Sequence, residues 1–547
     1  MHKKTFFGFV SIIVCLGLFL SGCDYLDTLK VKQAAFAGKS VTAADCNYGG
    51  EIRSVRAVDE YTVTFELCQP DAAFAAKIAS PIFAVQDEAT LAATGGDSNL
   101  LSEAPVGTGA YRLSGWEKGT ILTLQPSTSY WGVPGLPTSI EFFWRPTASQ
   151  RYNFTTYTTV EGLDIPPASL ISSIRSNDSI KPLQHPFTNL YFIGFNNTIA
   201  PMDKAEVRKA FALALDRSAI IQQAFPLGSE LAQQMVPSTF SPGYSDGLSW
   251  YAQNTAEAQA LLASAGFDFS QPITLAVADG NMGYLESPAS AAALVVSQLE
   301  AIGITVNVKA MPLADLQAAI KAGSEMAYLY WFQADYADAS AYFEGPFIGN
   351  AAQLGAAYLE IQSAAKATLA SADSATRQTA FDQLNSLVKD QVPLIPLGHA
   401  AFVTVFRKTV SNVAVNGFYE NFEEMTGTDT TIRYAGVSEP ASIWPADEDD
   451  YQTFRITRLL YDTLLMPGFG DVEFKPLLAE SWESNASLTQ WTFHLRYNVR
   501  FSNNVSFDAN DVVASFTAIW DSKDPNHKGR TGEFAYYRRL FGNLLNE

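Results

Sequence analysis

The sequence predicts an α/β protein of mixed sheets covered by helices and divided into several lobes. Two observations carry this reading. Through the middle of the chain, strand-like and helix-like stretches alternate, as they do where helices flank a sheet. At 547 residues with 47% apolar side chains, the chain also exceeds what one hydrophobic core organises, and it has material for two or three.

The first ordered block runs from Ala34 to Ile82. Within it Tyr61–Leu67 alternates apolar and polar residues as a half-buried strand does, and Ala72–Ile78 is helix-like. In Pro105–Tyr111, PVGTGAY, the glycines Gly107 and Gly109 give a sharp entry into a strand at Arg112 and Leu113, and the β-branched content of Ile121–Leu124 predicts another. Ala205–Phe225 turns helical, with Val207, Ala210, Phe211 and Ala214 on one face. Further helices are expected at Thr255–Ala265, Pro288–Ile302, Leu313–Ala322 and Ala375–Asp390, with strands at Ile304–Val308 and Ala327–Phe332 between them. Asn416–Thr431 is polar and contains Gly417 and Gly427, which reads as a linker. Tyr451–Leu465 reads as a helix introduced by Asp447, Glu448, Asp449 and Asp450, acids that the helix dipole favours at a solvated start. Each segment occurs once, without internal repeat.

The 56 acidic against 36 basic side chains, a net charge of -20, argue against nucleic acid or an anionic lipid surface as partner. At the N-terminus His2, Lys3 and Lys4 precede the apolar run Phe6–Leu20, followed by Ser21, Gly22 and Cys23. This resembles a bacterial lipoprotein signal, the run of about 15 residues being short of the roughly 20 that span a bilayer. That resemblance makes Cys23 the lipidated first residue of the mature protein; a plain signal anchor is the alternative. Cys15 would leave with the signal, so Cys46 and Cys68 remain. Export permits a disulfide between them, stapling a hairpin over Ile52–Leu67, and two buried free thiols are the other possibility.

Gly243–Gly247 spells G-x-S-x-G around Ser245, the pattern of a serine hydrolase, but Pro242 precedes it and no apolar strand leads in. His2, His185, His399, His494 and His527 show no metal-ligand spacing, and the acidic loop lacks the EF-hand pattern. No cofactor or metal is implied.

Several blocks resemble the extracellular solute-binding proteins of the peptide and nickel family, family 5, the ligand-capturing components of ABC importers. These are PVGTGAY with Tyr130, Trp131 and Gly132; Asn189–Asn197 with Val207, Arg208, Ala210, Leu215, Asp216 and Arg217; LLASAGF at Leu261–Phe267; Ala334, Asp335 and Tyr336; Pro393–Leu397; and Pro476–Trp482 with Thr492–Val512. Ala110 replaces the family's usual proline, and Ser502, Asn503 and Asn504 its usual His, Asp and Gly. The order also departs, because the block that opens other members comes last here. Such a chain resembles a circular permutant with old ends fused near Asn416–Thr431; a truncated tandem beginning at Asp429 is the alternative.

The resemblance implies a type II (cluster C) periplasmic-binding-protein fold, with two large mixed α/β lobes and a small extra lobe hinged around a ligand cleft. The expected division is signal 1–23, small lobe 24–100, lobe I 101–195, lobe III 196–410, lobe I strands and fused ends 411–445, and the rest of the small lobe 446–547. It also implies a peptide ligand, an ABC permease and ATPase as partners, membrane attachment through Cys23 outside the cytoplasm, a monomer, and no covalent chemistry. A secreted hydrolase using Ser245, a nickel, haem or sugar binder of the same fold, and a sensory lipoprotein are the alternatives. Asp335 falls where the family's peptide-binding branch holds the ligand's α-amine. Trp331, Phe332 and Tyr336 would line an aromatic wall, Asp449, Asp450 and Tyr451 would border the cleft, and Asn196 would contact ligand.

Overall fold

The computed structural model describes residues 36–157, 160–164, 170–349, 351–468 and 474–547; the leader and Cys23 lie outside them. Among these residues three large sheets carry the architecture, and each draws on distant parts of the chain.

The small sheet is antiparallel, in the order Ser40–Thr42, Ile52–Asp59, Thr62–Leu67, Gln490–Leu495 and Ala479–Ser484. Val63, Phe65 and Leu67 face inward from the alternating strand, and Phe65 meets Phe493 and Phe516 at ring distances of 5.7 and 4.8 Å. Phe516 lies on the helix Ala509–Trp520, whose start is closed by a reciprocal cap between Asp508 and Asp511. Cys46 and Cys68 form a disulfide across the hairpin, Cα atoms 5.6 Å apart. The late segment therefore completes a sheet begun by the early one, within one chain.

The six-stranded sheet runs Glu230–Leu231, Leu394–His399, Asn189–Phe195, Ala327–Gln333, Ile273–Ala278, Val306–Met311. Asn189–Phe195 and Leu394–His399 are buried along their whole length, which explains the apolar runs Leu190–Phe195 and Leu394–Leu397. The seven-stranded sheet runs Tyr111–Glu117, Ile121–Pro126, Ser139–Trp144, Thr431–Gly436, Gly162–Asp164, Val403–Arg407, Ile180–Gln184. Its central Thr431–Gly436 is parallel to both neighbours.

The chain passes between these two sheets at residues 185–188 and 400–402, so the lobe boundaries expected at 195 and 410 shift to there. The crossings lie side by side: the His185 backbone N–H donates to Phe402 at 2.9 Å and the two rings stack 4.1 Å apart. Two adjacent connections between two sheets make a hinge.

Three expectations about local structure change. Asp216 caps the backbone N–H of Ala219, which divides the predicted helix into Ala205–Ala214 and Arg217–Ala224. The helix from Tyr451 stops at Leu460, because Tyr461 is extended. It also buries Ile456, Leu459 and Leu460 against Leu122, Leu124 and Phe142 of the seven-stranded sheet, not in the small lobe to which 446–547 was allotted. A Cβ on Gly107 or Gly109 would strike the Leu460 and Leu459 carbonyl oxygens at 2.1 and 2.5 Å, so PVGTGAY needs glycine for backbone to pass this helix end.

Within Asn416–Thr431 the stretch Asn416–Phe422 is buried or half-buried and is no solvated linker, whereas Thr426 and Thr428–Thr430 are exposed as a linker's residues are. Asn416 and Glu420 are fully buried, and the Asn416 side chain accepts from the backbone of Phe418 and Tyr419 at 2.8 and 2.6 Å. Asn416, Glu420 and Asn421 serve as internal acceptors. Glu420 takes a two-point bond from Arg455 at 2.9 and 3.0 Å, and Arg455 also reaches Asp164 at 3.0 Å. The guanidinium lies over the rings of Tyr451 and Tyr434, 4.4 and 4.8 Å from their centres. Burial opposes ionisation of Asp164, but Arg455 holds its carboxyl below the usual range.

Removing one partner of such a buried cluster strands the others. Arg455→Ala is expected to lower stability by about 3–5 kcal/mol, read as a shift in the urea midpoint; a shift under about 1 kcal/mol would show the cluster to be solvated.

Candidate functional site

The strand Ala327–Gln333 ends at a turn, Ala334–Ser340, which begins beside the hinge: the Ala334 backbone N–H donates to the Thr188 carbonyl at 2.7 Å. Side chains on both sides of Asp335 fix this turn. Asp338 accepts two bonds from Arg377 at 2.7 and 2.8 Å. Tyr336 donates to Glu344 at 2.7 Å, and its ring lies 5.6 Å from the ammonium of Lys77. Lys77, on the small-lobe helix Phe74–Ile78, is itself buried and pairs with Asp71 at 2.8 Å, Glu344 at 3.0 Å and Glu51 at 3.3 Å. Burial alone would lower its pKa, but those three acids hold the ammonium well above the ordinary value. Burial in turn pushes Glu51 and Glu344 upward against the pull of Lys77. The turn is thus pinned from the small lobe and from its own sheet.

Asp335 itself remains partly exposed, its side chain at 21%. Its carboxylate accepts from Nε and Nη2 of Arg539 at 3.2 and 3.3 Å, while Nη1 of the same guanidinium reaches Asp449 at 3.4 Å. Arg539 belongs to the helix Ala535–Phe541 and lies 4.7 Å over the ring of Tyr536, whose hydroxyl donates to the Asp335 carbonyl. Burial raises the Asp335 carboxyl and Arg539 draws it back. Asp335 and Asp449, 114 positions apart by their numbers, therefore meet across one cation.

The other expected residues divide. Tyr451 stacks on Tyr419 at 6.2 Å, meets Phe402 edge-on at 5.3 Å, and directs its hydroxyl at Glu420, beside the hinge. Asp450 caps Thr453 at 2.8 Å and is committed to the helix. Asp447 and Glu448 are buried, not solvated as expected: Asp447 accepts the backbone N–H groups of Arg530, Thr531, Gly532 and Phe534, and Glu448 binds the Arg530 guanidinium. Trp331 and Phe332 are half-buried and pack on Tyr330 and Tyr342 at 4.9 and 5.5 Å. Tyr336 is core, at 5% exposure, with its hydroxyl bonded to Glu344. Asn196 stands at the opposite end of the sheet, where its backbone N–H donates to Met326 and its side chain closes a turn with Thr198 and Gly323. It is not part of the Asp335 site. Ser245 lies in a loop, donating to Asp382 at 2.6 Å and accepting from Asn385 at 2.9 Å; the strand-to-helix elbow is absent from it.

Sequence reasoning passed over Asp462, an acid within the apolar run Leu459–Leu465. It accepts from the indole N–H of Trp131 at 2.9 Å and lines a cavity of about 80 Å³ with Arg458, Glu423, Tyr130, Tyr419 and Met466. That volume admits several waters or a small side chain. Burial raises the Asp462 carboxyl to about 6. Tyr419 joins this cavity to the Tyr451 stack.

Two sheets joined by a double crossing, a small lobe braced against both, and a partly open acidic site where they converge define a hinged solute-capturing protein. The chain belongs to the bacterial extracellular solute-binding proteins, family 5: the sequence model of that family's middle region matches residues 26–353 and 473–534. It is 23% identical over 372 residues to the dipeptide-binding protein of Escherichia coli (strain K12), covering 67% of this chain and 69% of that one. It is 26% identical over 393 residues to di/tripeptide-binding protein 1 of Pseudomonas aeruginosa (strain UCBPP-PA14), covering 69% and 72%. The fold matches the crystal structure of a dipeptide-binding protein from Pseudoalteromonas sp. SM9913 in complex with Met-Leu, with a TM-score of 0.57 at 20% identity over 69% of this chain and 74% of that one. The mixed sheets are those of type II periplasmic binding proteins of this family. Among the described residues no helix is long and apolar enough to cross a membrane.

A buried acid with a raised pKa holds its proton in the folded state when the unfolded state has already lost it. Its contribution is therefore complete below the ordinary aspartate range and disappears as pH rises to about 6. Asp462→Asn is expected to flatten the stability profile between about pH 4 and 6 and to stabilise the protein at pH 7.5 by on the order of 2 kcal/mol, measured by denaturant titration at each pH. An unchanged profile would place the carboxyl in water.

Proposed function

We propose that the protein captures peptides with a free amino terminus between its lobes and presents them to the permease of an ABC importer. The observation that carries this is Asp335: a carboxylate on a turn pinned from two lobes, partly open, at the position that corresponds by resemblance to the family's amine acceptor. Charge-assisted bonds to an ammonium in such a partly dry site exceed those of an exposed pair. Relatives named for dipeptide and di/tripeptide binding support the same class of solute. Binding and release by hinge motion require no covalent chemistry.

In this reading the chain works outside the cytoplasm, held to the membrane through lipid on Cys23, as a monomer. The permuted order is part of it. Pairing of Gln490–Leu495 with Thr62–Leu67, and insertion of Thr431–Gly436 into the middle of a sheet, support one closed molecule with displaced ends.

Native mass spectrometry of the protein as purified is expected to show co-bound peptides, and Asp335→Ala to weaken binding of the recovered peptides by about tenfold or more. Only metal, haem or sugar in the spectrum would refute the peptide assignment.

A further inference from the structure

The cation that Asp335 holds belongs to the protein itself. Arg539 reaches it from the small lobe, and the same guanidinium spans to Asp449 ahead of the helix Tyr451–Leu460. Neither bond is sealed: the Arg539 side chain is 42% exposed and that of Asp449 57%. Compare the other internal cations nearby. Lys77 and Arg455 are each about 1% exposed and ringed by acids at 2.8–3.3 Å and 2.9–3.0 Å. Those are sealed pins, whereas Arg539 is tied at 3.2–3.4 Å by longer, solvent-accessible bonds and lies at the same time over the ring of Tyr536. A partly exposed ion pair of this kind is weak and replaceable.

We infer that Arg539 is a specificity-determining residue: its guanidinium is a tethered stand-in for the ligand's ammonium, which an incoming free amino terminus must displace from Asp335. The inference rests on the peptide reading above. Ligand binding is then an exchange of one cation for another at a fixed carboxylate. Its cost is that of releasing Arg539, which lowers apparent affinity by the fraction of molecules in which Asp335 is occupied. A solute without an ammonium gains nothing from the exchange and is left facing the guanidinium. Release also leaves the Tyr536 hydroxyl as the tie between the small lobe's Ala535–Phe541 helix and the Asp335 backbone, so amine recognition is coupled to a contact shared by three parts of the molecule.

The test uses a library of dipeptides with free amino termini and the same library N-acetylated, titrated calorimetrically into wild type, Arg539→Ala and Arg539→Gln, with folding checked by circular dichroism. Both variants are expected to bind the free-amine library about three- to tenfold more tightly than wild type, and the acetylated library equally or less tightly. Weaker or unchanged free-amine binding in both Arg539 variants overturns the stand-in role while leaving the peptide reading intact. Failure of wild type to bind either library overturns both.

Discussion

Arg455 is the constraint around which the molecule is arranged. A guanidinium can be removed from water only if nearly every donor finds an acceptor and its charge is met. Here the two carboxylates arrive from separate stretches, Asp164 from the end of a short strand and Glu420 from a buried loop, with the rings of Tyr451 and Tyr434 against the guanidinium. Satisfying Arg455 therefore fixes the helix Tyr451–Leu460 against the seven-stranded sheet. It also brings Glu420 to within 3.7 Å of His185, at the first hinge crossing. Burial keeps that imidazole below its usual range, and Nδ1 bonds to the carbonyl of Asn416 at 2.7 Å. The hinge is anchored on one side to a rigid, charge-satisfied block.

The other side of the hinge is organised by a second buried cation, Lys77, which draws acids from the small lobe and from beyond the Asp335 turn into one cluster. Between the two blocks lies the partly open Asp335–Arg539–Asp449 bridge. Rigid charge pairs to either side and a yielding one between them is the distribution expected where binding must rearrange a few contacts without unsettling the lobes that carry them.

Most of the regular structure was legible because period-two and period-3.6 apolar patterns survive in a single sequence: Thr62–Leu67, Ala327–Gln333 and Thr255–Ser264 fall where the pattern puts them. Several misreadings share a cause, which is polar residues committed to partners within the protein. Asn416 and Glu420 look like linker residues until Arg455 is placed beside them, Asp447 and Glu448 look solvated until the loop at Arg530–Phe534 closes on them, and Asp216 ends a helix whose apolar stripe continues past it. In the site, Asp335 stood out by its position after an apolar strand. Arg539, 204 positions away, and Asp462, inside an apolar run, carry no local signal, since their roles exist only once sheets from distant segments meet.

The small sheet has a consequence for the order of events in the cell. Its central pairing joins Thr62–Leu67 to Gln490–Leu495, and a cross-tie from Ser515 to Gln86 closes a span of 429 residues. No intermediate that lacks Gln490–Leu495 can complete this lobe, because the partner of Thr62–Leu67 is then missing. Until then the hairpin Ile52–Leu67 presents an unpaired strand edge, the kind of surface that recruits other chains. High contact order of this sort slows folding. It also makes protection of one exposed edge, until the distant strands arrive, a condition for obtaining the native protein at all.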